Sequence, residues 1–159
     1  MVTLTVISVG PLKDKFFVDA AAEYEKRLSS FCRVENIVVK EEKIQNEDNP
    51  AEIAEALETE GRVILERMPK GAVSFALCVE GKEHDSIALA ERIGAACDST
   101  GKLCFVIGSS HGLSDKVKRA CDERISLSRL TLPHRLAKIV LLEAIYRSFS
   151  IRAGKRYHK

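Results

Sequence analysis

The chain has 159 residues, of which 45% are hydrophobic and 30% charged, and its formal net charge is +2. That length supports one domain with a substantial core that needs no disulfide or metal staple. No apolar run approaches the roughly 20 residues needed to cross a bilayer, and the five cysteines, an odd number with no C-x-x-C pair, form neither a zinc pattern nor a secreted disulfide framework.

In chain order, the opening MVTLTVISVG has no basic start followed by a long apolar region. It reads as a first strand, Leu4 to Val9, of a cytosolic protein, ending at the turn Gly10-Pro11. From Asp14 to about Ser30, Phe16, Phe17, Ala20, Ala21, Tyr24 and Leu28 recur at helical spacing. Cys32 to Val39 is a second strand, and EEKIQNEDNP an exposed loop. Pro50 opens a helix that Gly61 interrupts and Met68-Pro69 closes. Ala72 to Val79 is a central strand whose end, Glu80-Gly81, is a place for a ligand. Asp85 or Ser86 caps a helix that stops at Gly101. Leu103 to Ile107 is a buried strand feeding the loop Gly-Ser-Ser-His-Gly, where Gly108 and Gly112 permit close approach of a ligand to bare main chain. Ser114 caps a short helix to about Glu123. Ile125 to Leu132 then reads as a strand end running into a second loop, and Pro133 opens the last helix, to Ile151.

Strands alternating with helices predict an α/β fold, a mostly parallel sheet with helices on both faces, in a single domain over residues 1–159. Between Arg135 and Phe149 only Arg135, Lys138, Glu143 and Arg147 are charged. The last helix is therefore apolar on more than one face, and either a two-fold partner or another helix of the same chain covers the surplus.

Charge is polarised along the chain. Nine acidic residues lie between Glu41 and Glu66, against Lys43 and Arg62, whereas Arg147, Arg152, Lys155, Arg156 and Lys159 form an acid-free basic end. Such a tail suits a phosphate backbone, although basic termini are commonly just solvated. His158, beside Tyr157, has the chemistry of a base, an acid or a hydrogen-bond donor. The Gly108 loop is neither G-x-G-x-x-G nor a P-loop, and no G-x-S-x-G elbow is present. Two glycine- or serine-rich loops before two helices suit a flat, uncharged ring held by main chain and apolar side chains. No histidine has a metal-ligand partner at useful spacing, so no metal is expected.

The segments VEGKEHDS, FVIGSSHGLS, ISLSRLTLPHRLAKIVLLEAIYRSFSI and the terminal YHK, with VGPLKDKFF and EYEKRL near the start, closely resemble the small SPOUT-class methyltransferases of the RlmH type over the whole length. The resemblance implies methylation of N3 of a pseudouridine in helix 69 of 23S rRNA in the assembled ribosome, with S-adenosylmethionine. It implies a homodimer whose C-terminal part, about 103–159, is threaded into a trefoil knot. Cofactor contacts then fall on Leu77, Gly108, Leu127, Ser128, Arg129, Leu130, Thr131 and Leu132. Tyr157 and His158, with Arg152 or Arg147 nearby, join the site that receives the base, and Arg147, Lys155, Arg156 and Lys159 hold RNA. The chain departs from the family in Ser109, where a second glycine is common, and in Cys78, where an acid is common. Competing readings are a SPOUT methyltransferase on another RNA such as a tRNA ribose, a non-catalytic ribosome-associated RNA-binding factor, and a flavodoxin-like nucleotide-binding domain that would leave the basic tail unexplained.

Overall fold

A computed structural model describes residues 1–158, and Lys159 lies outside the described residues. Strand β1 (Val2–Val9) is followed by α1 (Lys15–Leu28), β2 (Cys32–Val39), α2 (Pro50–Arg67), β3 (Val73–Glu83), α3 (Ser86–Thr100), β4 (Lys102–Ile107), α4 (Asp115–Ala120), β5 (Glu123–Ser126) and α5 (His134–Arg152). The five strands form one sheet in the order β2-β1-β4-β3-β5, and every pairing is parallel.

That order dictates where the helices go. A crossover between parallel strands is right-handed, so connections running in opposite directions along the sheet place their helices on opposite faces. β1 to β2 and β3 to β4 run one way, and β2 to β3 and β4 to β5 run the other. Accordingly Ala21 and Leu28 of α1, Leu89 and Ile93 of α3, and Leu141, Leu142 and Ile145 of α5 pack with Leu4, Val6, Phe75, Leu103 and Phe105 on one face. Ile64 of α2 and Val117 of α4 pack with Ile7, Val9, Ala76, Cys104 and Val106 on the other. Strand residues alternate strictly between the two cores, as a sheet buried on both sides requires. The stacked rings of Phe75 and Phe105, 4.6 Å apart, bridge the two central strands.

The caps follow the sequence. Asn49 accepts from the Ala51 N–H ahead of Pro50, Asp85 from Ala88, and Ser114 from Val117. Gly101 closes α3 at φ +67°.

Four local expectations change. Helix α2 is continuous through Gly61, because the glycine is there for packing: a Cβ would press on the Ser114 hydroxyl and Val117 where α4 crosses. Helix α4 stops at Ala120, and β5 begins at Glu123 and ends at Ser126, so Leu127 to Leu132 is entirely loop. Strand β3 does not end at Val79 but resumes to Glu83, since Leu77 and Lys82 both pair with Ile125 and the residues between them bulge out. The extra apolar surface of α5 is in large part covered within the chain, because the helix lies between α1 and α3. Apolar side chains left exposed include Phe16, Val18, Leu130 and Leu136.

Candidate active site

The C-terminal ends of β3, β4 and β5 send their chains to opposite faces of the sheet, and the ends separate into a crevice. A cleft of ≈ 300 Å³ occupies it, walled by Leu77 to Glu80, Ile107 to Leu113, Ser126 to Ser128, Leu130 to Leu132, and His134 and Ala137 of α5. Its floor is held tightly. The Gly112 N–H donates to the Ser109 carbonyl at 2.9 Å, and a Cβ on Gly108 would collide with the Gly112 carbonyl and the Leu113 side chain. Only glycine fits at 108. The Leu127 to Leu132 loop is braced by its own serines: the Ser126 hydroxyl donates to the Ser128 carbonyl at 2.9 Å, and the Leu130 N–H donates to the Ser128 hydroxyl at 3.0 Å.

Of the residues that the resemblance assigns to the cofactor, Leu77, Gly108, Leu127, Ser128, Leu130, Thr131 and Leu132 are brought together in this cleft, whereas Arg129 stands outside its wall. The lining fits a small molecule with a flat ring and a few polar groups, since it combines leucines with exposed main chain. The two departures are accommodated. Ser109 is buried and its hydroxyl accepts from the His111 N–H at 3.3 Å. Cys78 sits on the bulge wall, where burial, with Glu80 nearby, raises its thiol pKa and keeps it protonated.

Three features of the cleft carry no sequence motif. Lys118 of α4, whose side chain is only 16% exposed, pairs with Glu80 at the bulge tip. The carboxylate is held below its usual range by that bond. Gly81 closes the bulge against the backbone of Ile125, where a Cβ would overlap main-chain atoms. His134 enters the wall from the first turn of α5 with its Nε2 buried and unbonded, and burial lowers its pKa although Glu41 is nearby. A bulge and an ion pair between residues far apart in sequence leave no local pattern, and a histidine after Pro133 is ordinary helix start; TLPH was the one usable signal.

The tail is elsewhere. Glu143 of α5 takes both Arg147 guanidinium contacts on one oxygen, at 2.9 and 2.7 Å, and the Tyr157 hydroxyl on the other at 2.7 Å. Burial opposes its charge, but the bonds from Tyr157, Arg147 and Tyr24 prevail and hold the carboxyl below its ordinary pKa. Tyr157 packs edge-on against Tyr146 and lies under the Arg147 guanidinium. The His158 Nδ1 lies 3.3 Å from Arg147. An arginine only donates, so Nδ1 accepts and the neutral ring carries its proton on Nε2. Lys155 sits over the Phe31 ring, and Arg156 is exposed. Arg152 is apart from this group, bonded to Asp98 and the Gly94 carbonyl of α3. Within one chain the structure therefore does not join tail and cleft: at 1.5 Å per residue Glu143 is roughly 13 Å along α5 from His134. Among the described residues no cluster of three or more His, Cys, Asp or Glu side chains could hold a metal ion, and no helix is long and apolar enough to cross a membrane.

A parallel α/β sheet with its cleft at the ends of β3, β4 and β5 and a basic tail on its last helix is matched over residues 2–158 by the family described as "Predicted SPOUT methyltransferase". The chain belongs to this SPOUT methyltransferase family. It is 42% identical over 157 residues to the Ribosomal RNA large subunit methyltransferase H of Bacillus cytotoxicus, covering 98% of this chain and 99% of the relative. It is 41% identical over 160 residues to the protein of that name from Oenococcus oeni, covering 100% of both. Among solved structures, a probable methylase family protein from Haemophilus influenzae superposes with a TM-score of 0.55 at 14% identity, over 99% of this chain and 70% of that one, a likeness of fold.

Proposed function

We propose that the protein methylates N3 of a pseudouridine in helix 69 of 23S rRNA within the assembled ribosome, in the cytoplasm, using S-adenosylmethionine and working as a homodimer with a C-terminal trefoil knot. The observation that carries this reading is the near-full-length identity of about 40% to relatives named for large-subunit ribosomal RNA methylation. The cleft is consistent with such a cofactor, with Gly108 at a point too tight for a side chain and Leu127, Ser128 and Leu130 to Leu132 in its wall.

Bound in that cleft, the cofactor would supply an electrophilic methyl group on a sulfonium. The protein's part is to fix the acceptor nitrogen in line with it and to take the N3 proton. His158 is our choice for that proton. In the docked tail its Nδ1 is occupied by Arg147, so a base at this position must first leave Arg147. The exposed Phe16, Leu130 and Leu136 beside the cleft end of the sheet suit a second copy, and a second copy would bring another tail. Tyr157 keeps its proton, because its bond to Glu143 raises its pKa, and it would serve as a donor rather than a base. Arg147, Lys155, Arg156 and Lys159 would meet phosphates, and Arg152 would steady α5 against α3.

The test is methyl transfer from labelled S-adenosylmethionine to 70S ribosomes, to isolated subunits, to free rRNA and to tRNA, with the product nucleotide mapped and cofactor binding measured in parallel. Label at N3 of the helix-69 pseudouridine supports the reading. Label on a tRNA ribose, or tight cofactor binding with no transfer to rRNA, would replace it with another RNA substrate, and absent cofactor binding would leave only an RNA-binding factor.

A further inference from the structure

Cys78 to Gly81 of β3 have no partner on β4 or β5, because Leu77 and Lys82 both pair with Ile125. Such an excursion gives up the ladder bonds that fix a strand, so its side chains decide how firmly it is held. Among the described residues one side-chain bond ties it to another element, that from the Lys118 ammonium to the Glu80 carboxylate.

The α4 end of this tie is the firm one. Val117 is fully buried, and its N–H donates to the capping Ser114 hydroxyl at 3.2 Å. The Lys118 side chain beside it is 16% exposed, whereas that of Glu80 is 55% exposed. If the pair is broken, the bulge is the part free to move. Its position matters to the site, because Leu77 to Glu80 form one wall of the cleft, while Leu113 and Lys118 belong to another. The ion pair spans the two. Fixing a binding surface beforehand raises affinity by removing the cost of ordering it on binding.

Resting on the methyltransferase reading above, we propose that Lys118 is a positioning residue for S-adenosylmethionine: through Glu80 it pins the bulge of β3 to α4 and holds that wall of the cleft ready for the cofactor. Lys118 acts on the wall and not on the reacting atoms.

Cys78, within the bulge, reports on it. It is half-buried, whereas Cys32, Cys97, Cys104 and Cys121 are buried. The charge of Lys118 favours the Cys78 thiolate, and the thiolate is the form that alkylates. Removing that charge therefore slows alkylation if the bulge stays in place, whereas release of the bulge speeds it. The two effects have opposite signs.

The experiment uses the full-length protein as wild type, Lys118→Met, Lys118→Arg, Glu80→Gln and the Lys118→Met/Glu80→Gln double variant. Iodoacetamide labelling of Cys78 without ligand is followed by peptide mass, and S-adenosylhomocysteine binding by calorimetry. Labelling should be faster in Lys118→Met and near the wild-type rate in Lys118→Arg. Affinity should fall by roughly three- to tenfold in Lys118→Met and in Glu80→Gln, the scale of a partly exposed ion pair. The double variant should bind no more weakly than Lys118→Met, since residues acting as one unit do not add. Slower or unchanged labelling in Lys118→Met would show that the bulge holds without the pair, which overturns the proposal. Additive losses in the double variant would make Lys118 a direct contact of the ligand and overturn it as well. If the wild type binds no S-adenosylhomocysteine, the methyltransferase reading falls and the proposal with it; binding by wild type with no effect of Lys118→Met overturns the proposal alone.

Discussion

Glu143 decides the state of the tail residues around it. The Tyr24 phenol, half-buried and facing this carboxylate, has its pKa raised to about 12, so Tyr24 and Tyr157 both remain donors while Glu143 remains charged. A carboxyl whose folded pKa is lowered contributes stability above its ordinary range, and the contribution is lost as pH falls through the folded value. Tail docking should therefore loosen only in acid below the ordinary carboxylate range. Glu143→Gln should loosen it already at neutral pH, read as sharper NMR resonances of the Tyr157 ring; a tail equally ordered in the variant would deny Glu143 this role. For His158 the expectation is kinetic: His158→Ala should cut single-turnover methylation by about a hundredfold, the usual scale for a general base, with cofactor affinity unchanged. Unaltered turnover would remove it from the reaction. The glycine loop and the Tyr-His pair were legible in the sequence, since Gly after a strand and a basic terminus are local signals. Lys138 was not, because a basic residue inside a helix looks like its solvated face until burial is known, and His134 had only the Thr131 to His134 segment to mark it.

At the scale of elements, the wall of the cleft depends on a strand that leaves its partner and returns. Leu77 and Lys82 share Ile125, and the loop between them is closed by Gly81 below and by the Glu80–Lys118 pair at the tip. Gly81→Ala should cost about 1–3 kcal/mol in urea unfolding, the range for forcing a methyl into filled space, and should weaken cofactor binding with it. Unchanged stability would mean that the backbone of β5 yields freely. The sequence allowed the strand of residues 72–79 and a loop at Glu80-Gly81 to be recognised from an apolar run and a turn pair. Resumption of the strand was beyond it, because register is a property of two segments and residues 82 and 83 carry no apolar alternation. Similarly Gly61 looked like a helix breaker, and only the crossing of α4 shows that it is a point of close approach.

For the whole molecule, the separation of cleft and tail along α5 bears on the dimer. A mostly parallel sheet with helices on both faces followed from alternation of strands and helices, whereas which helix lies on which face follows from crossover handedness only once the strand order is known. The position of the tail did not follow, because a terminus packs wherever charge and rings allow. In one chain it lies on Glu143, Tyr146 and Phe31 and not at the cleft. If each active site combines the cleft of one copy with the tail of the other, defects in the two parts complement. Gly108→Val would fill the floor of the cleft and His158→Ala would disable the tail, so each homodimer alone should be inactive. After co-refolding at equal amounts, half of the dimers are mixed, and each has one site with both parts intact, which predicts activity of about one quarter of wild type by random two-fold pairing. Cleft and tail acting within the same chain would instead leave every site of the mixed dimer with one defect, and the mixture would remain inactive.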